Sequence, residues 1–533
     1  MKGRDILFSI TILAALFSSS VAVAQAKASH VDEISLKGRP FIPEPGIDWA
    51  GIDKARKDAA VNMAGLDKAS AAALGNKSGE PGHLLIQFEG YPTTSTLNKL
   101  QDKGIVILEW VPQNAVTVKW PADVPVERYE GIRWIGKRQS TDKISNQLSK
   151  SPDAAFNLVS FYPEVDRKTA LTQLQSVGSK VTFRAGLGDS VYLVKANDAT
   201  IAKLSNLEDV SYIWPASDTI VKGNAVSLCS GAETEFGTVA KYSTVGDGWD
   251  GPGLGSINLT YHFINGTLDI AGTKEHSECR RAMSVWARHA AIKWSPAGRR
   301  GLNRSIDIRW ATNKALFPPG VLAFAYLPAP DPNPESVAGD MFFNDGFRWR
   351  VGTRWDLFTT ALHELGHSLG LGHSDDPSAI MYFATDGSPR LELHEDDVNA
   401  IRSLYGAPSF IVDNKSPNFA VTGTWGTATS AADKYGSNYR YTNTGAVNRT
   451  ASWSANVPSG FYGVYAWWNA GSNRTPSATY TLPDGRTVSV NQQTNGGQWN
   501  LLGTALLNGR STTRVSSLST AGFVVIADAI KYQ

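Results

Sequence analysis

The sequence predicts a multidomain protein that contains, in chain order, a tandem α+β region, an α/β domain and an all-β sandwich. Three observations predict this order: an internal repeat within residues 80–218, apolar strands alternating with helices within 247–407, and short Tyr-, Trp- and Val-rich strands between Gly, Asn, Ser and Pro turns within 408–533. The chain has 533 residues, of which 42% are hydrophobic and 19% charged, which excludes a single small module and global disorder. The formal net charge of +2 gives no electrostatic footprint for a nucleic-acid partner.

Residues 1–24 have the pattern of a cleaved signal peptide. Basic Lys2 and Arg4 precede an apolar stretch, and the triplet Ala-Val-Ala at 22–24 follows it. The alternative is an uncleaved membrane anchor, but the stretch is shorter than the roughly 20 residues that span a bilayer. We therefore expect a secreted, extracellular protein without a membrane span, with cell-surface association left open. Residues 25–79 show no sustained period and are predicted to be a spacer.

Residues 80–218 contain two copies of one pattern. The first copy starts with HLLIQFEG at His83–Gly90 and the second with FNLVSFYP at Phe156–Pro163. Each copy continues as helix, strand, strand, a short helix (VERYEGI and ATIAKLSNLEDV) and a closing strand with a Trp. This order predicts two βαββαβ units with a ferredoxin-like fold, followed by a linker at 219–246.

The two units resemble the propeptide domains of subtilisin-type proteases in their strand-helix order and in the LxxL helix that leads into an Ile- and Val-rich strand. This resemblance implies a pro-domain that assists folding and inhibits the domain that follows it. A pair of structural or adhesion modules is the alternative.

Within 247–407, the apolar strands INLTYHF, SIDIRWA, VLAFAYL and DMFFND alternate with two helices, which is an α/β pattern. The first predicted helix is KEHSECRRAMSVWARHAAIKW, with Cys279, Ala282, Met283, Trp286 and Ala290 on one apolar face. The second helix lies in WDLFTTALHELGHSLGLGHSDD and carries the residues that predict chemistry.

That second helix places His363 and His367 four residues apart on one face, so that both imidazoles can reach one metal ion. Gly370 ends the helix and allows a turn that returns His373 toward the same metal. Three neutral histidines leave a fourth zinc position for water, which is typical of a catalytic site. Glu364 is the predicted general base for water attack on a carbonyl, which is the chemistry of peptide-bond hydrolysis. The alternative is that the histidines are core or surface residues without a metal.

These residues also carry a resemblance to a known family. HELGHSLGLGH at His363–His373 matches the HExxHxxGxxH signature of the metzincins, and Ser374 and Asp376 fit the HSxD form of the matrixins. Met381 in AIMY resembles the Met-turn of that family, and HEDDVNAIRSLYG resembles its closing helix. The resemblance implies a matrixin-like fold, an endopeptidase activity and one catalytic Zn²⁺ bound by the three histidines, with Met381 beneath the metal.

The segment VLAFAY resembles the matrixin edge strand that pairs with an extended peptide substrate. It implies substrate main-chain contacts at Leu322, Ala323, Phe324 and Ala325.

Three features depart from the family. Phe324 and Phe342 stand where matrixins often carry histidines of a second zinc site, so we expect none. The family's calcium loop is poorly matched, and Ca²⁺ stays open because oxygen ligands remain at Asp340, Asn344 and Asp345. Phe383 replaces the usual Pro after the Met-turn, which implies a changed specificity pocket.

The two cysteines, Cys229 and Cys279, leave three alternatives. A Cys229–Cys279 disulfide is favoured by an oxidising compartment. A Cys229 thiolate that blocks the zinc, as in matrixin zymogens, is the second, although SLCSGAE lacks the family's switch motif. Two unpaired thiols are the third.

Residues 408–533 resemble the golvesin C-terminal domain, also seen beside xanthan lyase enzymes, in segments such as YGSNYRYT, GFYGVYAWWNAGSNRTPSATYTL and VNQQTNGGQWNLLG. The resemblance implies a β-sandwich accessory module whose ligand could be a cell surface or a polysaccharide. Trp467 and Trp468 are adjacent on a strand and so face opposite sides. We expect one in the core, and the other could stack on a sugar ring.

Together these patterns predict a secreted zinc metalloendopeptidase, made as a zymogen, that acts on protein or peptide substrates. A surface-binding or adhesion protein with an inactive metzincin domain is the alternative from another class. The intact Glu364 and three histidines argue against it. A metallohydrolase of non-peptide substrates is a further alternative, which the edge strand disfavours.

Overall fold

The computed structural model describes residues 32–63, 82–224 and 256–533, with short gaps, and four pairs of residues between 226 and 249. The gaps are 38, 91, 112–113, 149–152, 185–186, 188–189, 313–315, 318–319, 329–332 and 334. The predicted signal peptide and Cys229 lie outside the described residues. Across the part of the chain that is described, no helix is long and apolar enough to cross a membrane.

The segment before the first repeat contains regular structure where a spacer was expected. Its elements are β1 (Ile34–Leu36), β2 (Arg39–Phe41), β3 (Gly46–Ile47) and α1 (Trp49–Met63). β1 pairs with β2, and Ile34, Leu36 and Ile52 are buried in the core of the first repeat unit. Strands of two or three residues are too short to produce a recognisable alternation, which is why the sequence pattern missed them.

The first repeat unit, called unit 1, adds four antiparallel strands to β3. They are β4 (Gly82–Phe88), β5 (Val106–Val111), β6 (Ala115–Trp120) and β7 (Ile132–Gly136), with α2 (Thr94–Gln101) between β4 and β5. The sheet order is β3-β7-β4-β6-β5, and β3 runs parallel to β7. The first and third strands of the repeat are therefore central, the order that a βαββαβ pattern produces.

One predicted helix of unit 1 is absent from the described structure: VERYEGI at 126–132 runs as an irregular segment into β7. The Tyr129 ring instead stacks on Trp120, with centroids 6.0 Å apart. Apolar contact with the sheet thus outweighs the weak helical tendency of this segment.

The second repeat unit, called unit 2, has both predicted helices. Its elements are β8 (Ala155–Phe161), α3 (Arg167–Ser176), β9 (Lys180–Thr182), β10 (Val191–Ala196), α4 (Asp198–Ser205) and β11 (Val210–Pro215). The sheet order is β11-β8-β10-β9, with antiparallel pairs throughout. Asp166 and Asn197 cap α3 and α4 by accepting hydrogen bonds from Thr169 and Thr200.

The described part of the linker after unit 2 contains only short elements of regular structure. Its described elements are α5 (Asp218–Lys222), β12 (Val226–Ser227), β13 (Glu233–Thr234) and β14 (Gly237–Thr238).

The α/β domain consists of a five-stranded sheet and three helices. Its elements are β15 (Ile257–Phe263), α6 (Lys274–His289), β16 (Ile292–Pro296), β17 (Ser305–Ala311), β18 (Ala323–Ala325), β19 (Met341–Asn344), α7 (Leu357–Ser368), β20 (Ala384–Thr385) and α8 (Glu395–Tyr405). The sheet order is β16-β15-β17-β19-β18, and only β18 is antiparallel to its neighbour. α6 packs on α7, where the Trp286 indole N–H donates to the Leu362 carbonyl at 2.9 Å.

The first helix of this domain is shorter than its sequence pattern predicts. α6 ends at His289, and Ala290 is extended, with φ −134° and ψ 164°. The residues IKW, predicted as helix, belong to β16, which pairs in parallel with β15. A β-branched Ile292 at the edge of a forming sheet gains more from the strand than from another helical turn.

The C-terminal region is all β, as predicted. Its strands are β21 (Phe410–Asp413), β22 (Phe419–Thr422), β23 (Gly426–Ala428), β24 (Tyr439–Asn443), β25 (Thr450–Trp467), β26 (Ala478–Thr481), β27 (Thr487–Val490), β28 (Asn500–Ser516), β29 (Val524–Ala527) and β30 (Ala529–Tyr532). Seven of them form one sheet and three form a second. Trp468 lies in the shared core, whereas Trp467 is partly exposed and contacts the rings of Tyr435 and Trp499.

Candidate metal centre

Helix α7 carries the first two predicted metal ligands. Asp356 caps it, accepting the Thr359 backbone N–H at 2.9 Å and its hydroxyl at 2.7 Å. Every residue from Leu357 to Ser368 is buried, because α6 and the sheet enclose the helix. Metal-binding side chains on such a helix are held by packing before any ion arrives.

The structure brings together the three histidines that the sequence predicts as ligands. One nitrogen from each of His363, His367 and His373 lies within 4.8 Å of the others, and the ring centroids are 4.8–5.2 Å apart. In the described part of the chain, this is the one cluster of three or more His, Cys, Asp or Glu side chains that could hold a metal ion. The spacing is compatible with one tetrahedral zinc ion.

Hydrogen bonds decide which nitrogen of two rings faces the cluster. His363 Nδ1 lies 2.8 Å from the Ile380 carbonyl, and His367 Nδ1 lies 2.6 Å from the Leu371 carbonyl. A carbonyl oxygen can only accept, so each Nδ1 carries the proton and Nε2 keeps its lone pair for a metal.

Burial keeps these two imidazoles neutral. It lowers the pKa of His363 well below its usual value and the pKa of His367 to about 4. A neutral imidazole is the form that binds zinc, so these residues fit the metal that the sequence predicts.

Two glycines shape the site. Gly370 has φ +101°, the left-handed conformation that ends α7 and redirects the chain toward His373. A Cβ at Gly366 would lie 2.2 Å from the Met381 sulfur, so Met381 packs directly against the ligand-bearing helix. The predicted Met-turn residue therefore lies against the helix that carries His363 and His367.

The Met-turn is held by a residue that the sequence analysis did not single out. Asp397, buried at the start of α8, accepts hydrogen bonds from the backbone N–H groups of Ile380 (2.8 Å), Met381 (3.0 Å) and His394 (2.8 Å). The signal was present, because Asp397 is three residues after His394 and forms a capping box with it.

The remaining predicted site residues lie near the cluster. Glu364 is fully buried beside His363 on α7. β18 is the terminal strand of the five-stranded sheet as described, with Ala323 opposite Phe343 and Ala325 opposite Met341. Leu322, Ala323, Phe324 and Ala325 are all buried. The rings of Phe324 and Phe342 stack with their centroids 4.7 Å apart. These two residues stand where matrixins often carry the histidines of a second zinc site.

Two of the three predicted oxygen ligands for calcium, Asp340 and Asn344, form hydrogen bonds with backbone groups. Asp340 accepts the Asp307 N–H at 2.9 Å, and burial raises the pKa of Asp340 to about 7. The Asn344 amide donates to the Val321 carbonyl, and its oxygen accepts the Gly346 N–H. Binding of Ca²⁺ stays a prediction.

The structure describes one of the two cysteines of the predicted Cys229–Cys279 disulfide. Cys279 is a free thiol, fully buried on the apolar face of α6, and burial raises its pKa. The disulfide stays a prediction, because Cys229 is not among the described residues. The predicted role of the Cys229 thiolate as a zinc switch likewise stays a prediction.

The N-terminal region packs against the segment that follows the Met-turn. Tyr382, Phe383 and Ala384 share one buried apolar cluster with unit 2. The cluster includes Ile220 of α5 in the linker, and its unit 2 members are Leu158, Leu187, Leu193, Tyr212 and Trp214. The next residues also make main-chain contact, since β12 of the linker pairs with β20.

Unit 1 reaches the α/β domain too. Leu327, two residues after β18, is fully buried in the unit 1 core. Both repeat units therefore contact the α/β domain, unit 1 at Leu327 and unit 2 at Tyr382, Phe383 and Ala384.

Three family models match the chain. Residues 252–406 match the matrixin model, residues 410–533 match the golvesin C-terminal domain, and residues 35–139 match a domain of unknown function. The last match covers β1 to β7, so it joins the segment expected as a spacer to unit 1.

Curated relatives agree with the matrixin match. Stromelysin-1 of Rattus norvegicus is 37% identical over 160 residues, which are 28% of this chain and 33% of the relative. Matrix metalloproteinase-27 of Homo sapiens is 31% identical over 167 residues, which are 30% of this chain and 32% of the relative. The chain thus spans about a third of the length of the relatives it matches.

Among solved structures, a Paenibacillus xanthan lyase is 34% identical over 23% of this chain and 13% of its own, with a TM-score of 0.22. A TM-score this low does not bear on the fold.

Proposed function

From the matrixin match of residues 252–406, we propose that this protein is a zinc-dependent endopeptidase. The observation that carries the proposal is the convergence of three buried histidines, His363, His367 and His373, inside that matched segment. Two of them, His363 and His367, are neutral and carry their proton on Nδ1, so that Nε2 can bind a metal. When bound there, zinc would polarise a substrate carbonyl and lower the pKa of water.

The residues of the chain supply the remaining steps. The Glu364 carboxylate, adjacent to His363 and fully buried, accepts the proton of the attacking water and passes it to the nitrogen of the leaving amine. Strand β18 orients an extended peptide by main-chain hydrogen bonds along its outer edge. Phe383, whose ring centroid lies 6.2 Å from that of His373, limits the side chains that fit beside the metal.

We propose in addition that the protein is secreted as a latent precursor, with units 1 and 2 as a tandem ferredoxin-like pro-domain. The burial of Tyr382, Phe383 and Ala384 beneath unit 2 supports this role. The strand orders of the two sheets support the shared fold. The signal-peptide pattern of residues 1–24 supports export.

For the C-terminal sandwich we propose retention on a cell surface or polysaccharide. The partly exposed aromatic rings of Tyr435, Trp467 and Trp499, 5.2–5.6 Å apart, support stacking contacts with sugars. Deletion of residues 409–533 should spare cleavage of a small peptide and lower retention of the protein on its natural surface. Equal retention of both forms would contradict this role.

The test of the peptidase is casein hydrolysis with the N-terminal region removed by limited proteolysis, and with zinc content measured on every sample. Glu364→Ala should keep about one zinc per chain and lose about 10²- to 10⁴-fold in rate. The exposed Glu392 in the same domain provides the control, and Glu392→Ala should behave as wild type. Absence of turnover in wild type with bound zinc would favour the inactive adhesion protein.

A further inference from the structure

Three parts of the chain meet at one carboxylate beside the histidine cluster. Lys37 lies in the turn between β1 and β2 and forms an ion pair with Asp375 Oδ1. Tyr212, on β11 of unit 2, donates its hydroxyl to Asp375 Oδ2 at 2.7 Å. The Lys37 ammonium also lies 5.4 Å from the centre of the Tyr212 ring. One acidic side chain thus joins the earliest described segment, unit 2 and the α/β domain.

The contact is buried. The side chain of Lys37 is 6% exposed, that of Asp375 is 9% exposed, and Tyr212 is 7% exposed. Removing one partner of such a pair leaves the other as an uncompensated charge, which is strongly unfavourable, so the pair favours one docked arrangement. An exposed pair such as Lys99 with Glu130, at 58% and 87%, has no such effect.

Asp375 is mechanically connected to the metal centre. It follows His373 by two residues, and the intervening Ser374 donates its backbone N–H to the Met381 carbonyl at 2.8 Å. The Ser374 hydroxyl bonds Asp396 of α8 at 2.6 Å. The loop that presents the third histidine is therefore the loop to which the N-terminal region is anchored.

The ion pair borders the apolar contact between unit 2 and the Met-turn segment. Tyr212 belongs to the same cluster as Trp214, Phe383 and Tyr382. The Tyr382 hydroxyl donates to the Pro215 carbonyl and accepts the Ser217 N–H, both at 3.3 Å. Apolar burial supplies non-directional attraction, and the ion pair fixes the position at which it acts.

We propose that Lys37, Tyr212 and Asp375 form a latch that holds the N-terminal region across the metal centre and keeps the chain latent. The proposal rests on the proposed peptidase function. It places the start of the inhibitory region at the β1–β2 hairpin, well before the repeat that the sequence revealed. Residues 80–218 without Lys37 form an incomplete inhibitor.

The test uses the full-length chain with substitutions on the N-terminal side only. Lys37→Met removes the charge at similar size, Tyr212→Phe removes one hydroxyl, and Lys99→Met is the matched control at an exposed lysine of unit 1. Initial rates on a fluorogenic peptide are measured while intact mass confirms an uncut chain. We expect at least a tenfold higher rate for Lys37→Met, a smaller rise for Tyr212→Phe and none for Lys99→Met. After removal of the N-terminal region, all four samples should have one rate.

Amide hydrogen exchange of residues 382–385 provides a readout that needs no activity. It should be faster in Lys37→Met than in wild type and unchanged in Lys99→Met. If no processed sample hydrolyses peptide, the peptidase proposal fails, and the exchange rates alone decide the latch. If Lys37→Met does not fold, Tyr212→Phe provides both readouts. The latch would be overturned if the folded variants hydrolysed peptide as slowly as the uncut wild type and exchanged the amides of residues 382–385 at the wild-type rate.

Discussion

The indole of Trp214 stands edge-on to the phenyl ring of Phe383, with centroids 5.9 Å apart and planes at 75°. Trp214 belongs to unit 2, and Phe383 follows Met381 by two residues. The same phenyl ring has its centroid 6.2 Å from that of His373. One aromatic side chain therefore separates the N-terminal region from a predicted zinc ligand.

Trp214→Ala should weaken the cover over the metal centre. Loss of a fully buried indole leaves a cavity and costs about 3–5 kcal/mol. Denaturant unfolding should show the lower stability, and the uncut chain should hydrolyse a small peptide faster. Trp49, which is 50% exposed, supplies the control, and Trp49→Ala should change neither quantity. If the uncut Trp214→Ala chain stayed latent, the contact between Trp214 and Phe383 would not be needed for inhibition.

Gly366→Ala should disturb the metal centre by steric overlap. The added methyl would sit 2.2 Å from the Met381 sulfur and 2.9 Å from its terminal carbon, so the Met-turn or α7 must move. We expect a loss of about 1–3 kcal/mol in stability and weaker zinc binding, measured by thermal unfolding and by titration with a chelator. Gly298 has no atom within 4 Å of an added Cβ, so Gly298→Ala should match wild type. Unchanged zinc affinity in Gly366→Ala would show that the Met-turn adapts freely.

Asp397→Ala should loosen the Met-turn. Two buried N–H groups and one partly buried N–H group would lose a carboxylate acceptor, a cost of about 3 kcal/mol or more. Thermal unfolding and zinc content are the measurements, and we expect both to fall. The control is Asp218→Ala, since that side chain is 90% exposed. If Asp397→Ala kept wild-type stability, water would have to replace the carboxylate.

His83 should make the contact between the two repeat units depend on pH. Burial lowers its pKa, but hydrogen bonds to Glu164, at 2.6 Å from Nε2, and to Glu208 more than offset this, so the pKa is raised above 6.5. Nearby groups also enter the balance: Lys119, Lys137, Arg138, Lys143, Tyr162 and Asp209. A raised pKa stabilises the fold below about pH 6.5, and the gain disappears as the pH rises through the folded-state pKa.

We therefore expect the stability of the N-terminal region to fall between pH 6 and pH 8.5. Denaturant unfolding across that range measures it. His83→Gln should flatten the profile, and His262→Gln should leave it unchanged. An equal slope in wild type and His83→Gln would assign the pH dependence to other groups.

The residues of the metal centre were predictable because their chemistry is local. His363, Glu364 and His367 share one helix, and Gly370 and His373 follow within six residues, so periodicity and turn rules were sufficient. Asp397 was accessible in principle through its capping box. By contrast, no local pattern linked Trp214 to Phe383, because the two residues are 169 positions apart in the chain.

Errors in the predicted elements have the same origin. The residues IKW form part of β16 because they pair with β15. The segment VERYEGI is irregular because the Tyr129 ring stacks on Trp120. The secondary-structure propensity of a few residues contributes less free energy than the contacts that a neighbouring strand or aromatic ring provides.

The sequence by itself determined the order of the domains, the repeat and the three histidines with Glu364, because periodicity and residue spacing encode them within short windows. Only the tertiary structure decided that Cys279 is enclosed in the core, that Ile34, Leu36 and Ile52 pack with unit 1, and that Lys37 reaches Asp375. These contacts form between residues that are distant in the sequence. Because apolar burial is non-directional, the spacing of residues along the chain does not indicate which distant surface will cover them.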